Sequence, residues 1–226
     1  MREKGGRTMI NLIRKDIRLG VHPLLLSMPL LMGVLMLVPG WIYFIVILYF
    51  CWITIPNMFN QLRAQNDLMF TSMMPVTKRD IVKARIIVIA GLELAHVVVA
   101  LIFGLVSQRF YSDMTYFFFP PNLGFFGLCL VMLAIFNLIF IPMYYKTAYK
   151  FGMALLTSTV AATLFAGITQ WIGIVHSGMN RVFYGTEANH LAVQAYILIA
   201  GIVIFIALTA VAYRMAVKRF LQVEIQ

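Results

Sequence analysis

Apolar residues run along this chain in long stretches broken by short polar punctuation. Six stretches, at about 22–38, 41–59, 85–107, 123–144, 151–174 and 192–213, each approach the roughly 20 residues that a helix needs to cross a bilayer. His22 and Pro23 open the first, and Pro39-Gly40 makes a turn with almost no loop before the second. Ahead of them, residues 9–21 alternate with a helical period. Met9, Ile10, Ile13 and Ile17 share one side, and Asn11, Arg14, Lys15 and Arg18 gather on the other, the pattern of a helix lying in the membrane surface. A solvated helix end leading into the first span is the plainer reading of the same residues. Asp16 interrupts the apolar arc and so requires a partner. The polar, glycine-containing MREKGGRT before Met9 reads as a leader, with Met9 the natural start.

Composition supports lipid as the solvent for most of this surface. Of 226 residues, 62% are hydrophobic and 12% charged, where a soluble domain is about half apolar and about a quarter charged. The expected fold is an all-α integral membrane protein, a single transmembrane domain over 1–226 with six spans and an N-terminal amphipathic interfacial helix. No internal repeat and no soluble domain is apparent.

The net charge of +10 is explained by where the charges fall. With both termini in the cytoplasm, the inner loops and ends hold sixteen of the eighteen lysines and arginines, and only Arg109 and Arg181 lie outside. The reverse orientation or an odd number of spans breaks this asymmetry. The charge is an orientation signal and calls for no nucleic acid.

Catalytic signatures are missing. There is no phosphate-binding G-x-x-x-x-G-K-[ST], no G-x-S-x-G and no H-E-x-x-H, so no intrinsic enzyme activity is expected. Cys51 and Cys129 fall inside apolar runs and read as small buried hydrophobes. Glu93 is the one acidic residue inside a span, and His96 lies three positions on, on the same helix face. A di-iron site with that spacing needs glutamates from other helices, which are lacking, so no metal is expected. Two readings remain open: an internal polar pair, or the lining of a substrate path, with Asn57 and Asn137 as further candidates. Asn60, Gln170 and Thr157-Ser158-Thr159 read as helix–helix bonds, and Gly91, Ala95, Gly152 and Ala161 as close-packing positions. The aromatics at 110–122 suit an interface belt or an outer gate.

The most informative segment is 60–85, NQLRAQNDLMFTSMMPVTKRDIVKAR. Residues 62–73 can form a short helix with Leu62, Met69 and Phe70 as apolar points and Arg63, Asn66 and Asp67 as polar ones. Pro75 ends it, and Thr77-x-x-Asp80 is a capping box that restarts a helix running into the third span. Lys78 and Arg79 in the first turn oppose the helix dipole. Either an acidic partner surface or anionic lipid offsets them, or they are ordinary inner-side charge.

The run Asp67-Leu68-Met69-Phe70-Thr71-Ser72-Met73-Met74-Pro75-Val76-Thr77-Lys78-Arg79-Asp80-Ile81-Val82, together with the elbow helix and six spans, resembles the permease subunits of type-2 ABC exporters. It is most similar to the small bacterial permeases for antimicrobial peptides, bacitracin-type compounds and toxin peptides, with Met74 where they more often carry leucine. The resemblance implies that the 60–84 loop holds a coupling helix. Arg63, Asn66, Asp67, Phe70, Pro75, Lys78, Arg79 and Asp80 would then meet a separate ATPase. It further implies two ATPase subunits carrying ATP and Mg, a second permease copy or homologue, alternating access, and a bacterial cytoplasmic membrane. An immunity or sensor protein that binds a peptide or lipid without an ATPase is the alternative, and an intramembrane enzyme using Glu93 and His96 is the third reading.

Overall fold

A computed structural model describes residues 2–111, 116–147, 150–185 and 188–223. The readings made for the side chains of 1–7, and for 112–115, 148–149, 186–187 and 224–226, lie outside the described residues. The described residues form helices joined by short connections, with no strand among them. It contains α1 (Arg2–Gly20), α2 (Pro23–Gly33) continued by a 3-10 turn (Val34–Leu37), α3 (Phe44–Ala64), α4 (Asp67–Ser72), α5 (Lys78–Phe110), α6 (Leu123–Thr147), α7 (Gly152–Val175), α8 (Ser177–Tyr184) and α9 (Ala188–Leu221).

Five of these helices, α3, α5, α6, α7 and α9, are long and apolar enough to cross a membrane. By the same measure of length and hydropathy the count rises to six when residues 8–20 and 23–37, bent by 77° at their junction, are taken together. The bend follows from Pro23, which cannot continue α1, and from His22, whose ring accepts from the Leu24 amide to start the new helix.

α3 is not uniform. Residues Phe50–Thr54 form a π-helical turn, immediately before Pro56. Proline has no N–H to offer the Trp52 carbonyl, and the wider turn absorbs that lost bond. The helix then runs on to Ala64, beyond the end at 59 expected from hydropathy. It stops because Asn66 takes a left-handed conformation at φ 48°, which asparagine tolerates better than most residues. The helix expected over 62–73 is therefore two pieces, the end of α3 and the separate α4. The restart is as the spacing predicts: Thr77 Oγ1 accepts from the Asp80 amide at 3.1 Å and donates to the Asp80 carboxylate at 2.6 Å.

α6 is the central helix. In its most apolar window 72% of residues are buried, against 22% for α7 and α9, so α6 is enclosed by its neighbours while the other two face outward along most of their length. α6 and α9 approach to backbone contact. A Cβ on Gly127 would lie 2.5 Å from the Ile197 carbonyl oxygen, and one on Gly201 would overlap the Gly127 carbonyl. Gly91 and Gly152, read from sequence as packing positions, have open space beside them. Thr157 and Ser158 also depart from expectation, each donating to a carbonyl one turn back on its own helix, as Thr169 does.

At the end of the bundle away from α4, the aromatic run divides. Phe119 is buried against Phe183 (4.4 Å between ring centres), Phe44 and Gly173, while Phe110 and Phe117 are exposed.

Candidate functional site

Two polar clusters stand out inside this apolar bundle. The first lies where α1, α4 and α5 meet. α1 turns Leu12, Asp16 and Gly20 inward and leaves Ile10 and Ile17 exposed, so the residue that interrupts its apolar arc faces the protein. Asp16 meets Arg85 two turns into α5: Nε donates to Asp16 Oδ2 at 2.6 Å and Nη2 to Oδ1 at 3.2 Å. Arg85 Nη2 also donates to Asp67 Oδ2 at 2.5 Å. Lys15 closes the ring. Its ammonium pairs with Asp67 Oδ1, lies 3.0 Å from Asp16 and donates to Thr71 Oγ1 at 2.6 Å.

Two cations thus neutralise two carboxylates, with Arg85, Asp16 and Asp67 almost wholly buried. The aromatic floor beneath is Phe59, 5.9 Å below the guanidinium, with the Tyr144 ring 4.6 Å from that of Phe59. Burial by itself would raise the Asp67 carboxyl, but Arg85 and Lys15 outweigh it and hold Asp67 below the ordinary aspartate value.

This cluster revises the sequence reading of the loop. Asp67 is not displayed to a partner, because its carboxylate is consumed by Arg85 and Lys15. Lys78 is also engaged, donating to the Val223 carbonyl at 2.7 Å and sitting 5.4 Å over the Phe220 ring. That bond and ring contact take up the cation at the start of α5. Asp80 is used in the cap. The residues left on the surface are Arg63, Asn66, Phe70, Pro75 and Arg79, joined by Met69 and Met73. Phe70 is 60% exposed and Met73, which caps the six-residue helix, 72%, a concentration of apolar surface at α4 and its C-terminal end.

In the sequence Arg85 is one inner-side charge among sixteen. The signal that points to it is the pair of anomalies it resolves: a carboxylate in the apolar arc of α1, and an arginine placed inside an apolar run.

The second cluster lies deeper, at the contact of α3, α5 and α6. Asn137 Nδ2 donates to Glu93 Oε2 at 2.7 Å, and His96 Nε2 donates to the Val46 carbonyl at 2.9 Å. All three side chains are buried. Glu93 and His96 share a helix face but take different partners. Asn57 is not with them: it is exposed and donates to the Ile53 carbonyl of its own helix at 2.7 Å.

A family model described as ABC-2 family transporter protein matches residues 11–220, a span that includes both clusters. No curated protein and no solved structure matches the chain.

Proposed function

Because this chain belongs to the ABC-2 transporter family, and is thereby a multi-pass membrane component of an ABC transporter, we propose that it is the permease of an exporter driven by a separate ATPase, with α4 as the coupling helix. The observation that carries this reading is the two-sided character of α4. Outward it offers Met69 and Phe70, with Met73 at its C-cap. Inward its Asp67 is held by Arg85 of α5 and Lys15 of α1. A helix of this kind transmits displacement. A push on its apolar face reaches α1 and α5 together, since moving α4 alone would take Asp67 away and leave Asp16 as the one counter-charge for Arg85 and Lys15.

In this reading the cluster lies on the cytoplasmic side, where sixteen of the eighteen basic residues also fall, and both termini are cytoplasmic. α1 lies in the membrane surface with Ile10 and Ile17 toward lipid. α2 and its 3-10 extension cross as a short first span of about 25 Å, close to the roughly 30 Å of a bilayer core. This gives six spans. Two ATPase subunits, carrying ATP and Mg, and a second permease copy or homologue complete the unit. Closure of the ATPases drives alternating access. The cargo is an amphipathic peptide or a hydrophobic compound, and the membrane is the bacterial cytoplasmic one.

The test is mild-detergent extraction from the native membrane followed by measurement of co-purifying ATPase activity. Phe70→Ser with Met73→Ser is expected to abolish that activity while leaving the permease's unfolding midpoint unchanged. Full retention of ATPase by a folded double variant overturns the assignment of α4.

A further inference from the structure

Around Glu93 the deep cluster has more buried acceptors than hydrogens, a property independent of any partner ATPase. Glu93 Oε2 accepts from Asn137 Nδ2, which leaves Glu93 Oε1 and Asn137 Oδ1. Both are buried, and among the described residues neither has a hydrogen-bond partner. With an ionised carboxylate both atoms are acceptors, and no donor among the described residues reaches them.

His96 offers no help. The Val46 carbonyl can only accept, so His96 Nε2 carries the ring hydrogen, and His96 Nδ1 is a further buried acceptor without a partner. No ion pair joins Glu93 to His96, to a lysine or to an arginine among the described residues. Arg85, eight residues back and so about 12 Å along the helix, is committed to Asp16 and Asp67. The remaining titratable group near the carboxyl is Cys51 of α3, a buried thiol.

Two bare acceptors facing an uncompensated charge are expensive in an apolar interior. One hydrogen resolves both. We propose that Glu93 and Asn137 form a proton-binding site, in which Glu93 Oε1 holds a proton and donates it to Asn137 Oδ1 while Asn137 Nδ2 donates back to Oε2. The result is a closed acid–amide pair with zero net charge. Asn137 is the acceptor of choice because it is the group already within bonding distance of the carboxyl. The pair joins α5 to α6 without placing a charge in the bundle, so the site holds a hydrogen ion rather than a cationic substrate group.

Infrared difference spectroscopy of the purified protein in detergent at neutral pH, native against Glu93→Gln, tests this. Glutamine reproduces the neutral acid, with an N–H for Asn137 Oδ1 and a carbonyl for Asn137 Nδ2. The expected result is loss of a protonated-acid carbonyl stretch in the variant, at an unchanged unfolding midpoint. Loss of a carboxylate stretch instead overturns the proposal. So does a midpoint fall of more than about 4 °C, the shift expected for a lost hydrogen bond in a chain of this size. Asn137→Leu should keep the acid stretch and move it to higher frequency, and an unmoved band overturns the sharing with Asn137. The Glu93→Gln spectrum decides the protonation whether or not Asn137→Leu folds.

Discussion

Arg85 and Asp16, 69 positions apart in the chain, face each other through two parallel hydrogen bonds of 2.6 and 3.2 Å with almost no solvent between them and the rest of the fold. The same guanidinium reaches Asp67, so one side chain of α5 holds both the interfacial helix and the short helix that follows α3. The buried cluster is balanced only while all four members are present, and that condition can be measured.

Arg85→Leu is expected to leave Asp16 and Asp67 facing each other with Lys15 as their one counter-charge. Breaking a buried network in this way destabilises by about 3–5 kcal/mol. Arg85→Lys should recover only part of the loss, because an ammonium cannot reproduce the planar fork that reaches two carboxylates. Thermal unfolding in detergent of the two variants checks both statements.

The cluster also sets an acid limit. Asp67 has a folded value below its unfolded one, so its contribution is fully present above the unfolded value and is lost as pH falls through the folded value. The unfolding midpoint should therefore be insensitive to Asp67 above about pH 4 and fall below it. In Asp67→Asn the starting midpoint should be lower and the acid-dependent fall smaller. An identical acid profile in both proteins would count against the ionised state of Asp67.

Close contact of α6 and α9 makes a paired glycine experiment informative. Gly201→Ala places a methyl against the Gly127 carbonyl, backbone that cannot move aside without separating the helices. A destabilisation of about 1–3 kcal/mol is expected. Gly91→Ala, with nothing within 4 Å of the added carbon, should be neutral or stabilise by up to about 1 kcal/mol through helix propensity. Unfolding midpoints of the two variants give the comparison directly.

Neighbouring phenylalanines of one loop should behave oppositely. Phe119→Ala removes a buried ring wedged between Phe44, Phe183 and Gly173, and should cost about 3–5 kcal/mol. Phe117→Ala, at a side chain 67% exposed, should leave the unfolding midpoint nearly unchanged.

Local signals in the chain were enough for some of this architecture. The helical class and the restart at Thr77 follow from hydropathy and a four-residue cap, both of which act over short range. Asp16 and Glu93 stand out because each is a carboxylate in an apolar pattern. The pairing itself is not local: Arg85 comes from 69 positions away, and Asn137, a candidate beside Glu93 in the sequence, is picked out over Asn57 only by how the helices cross, 44 positions away. The break at Asn66 escaped notice for a different reason. A left-handed asparagine leaves no trace in periodicity, and Ala64, Gln65 and Leu68 around it favour helix. Gly127 and Gly201 were likewise indistinguishable from Gly91 and Gly152, because only the approach of a second backbone separates a contact glycine from a free one.

The wide turn at Phe50–Thr54 carries one residue more than an α-helical turn needs. α3 is in effect a screw with a slipped thread, and its lower half is rotated by about 100° from where an uninterrupted helix would set it. That rotation aims Phe59 at Tyr144 and at the Arg85 guanidinium, and turns Met58 and Leu62 toward Gly20 of α1. Excising a single residue, Ile53 for example, would tighten the thread. The aromatic floor would then swing out from under the four charges, with no charged residue touched.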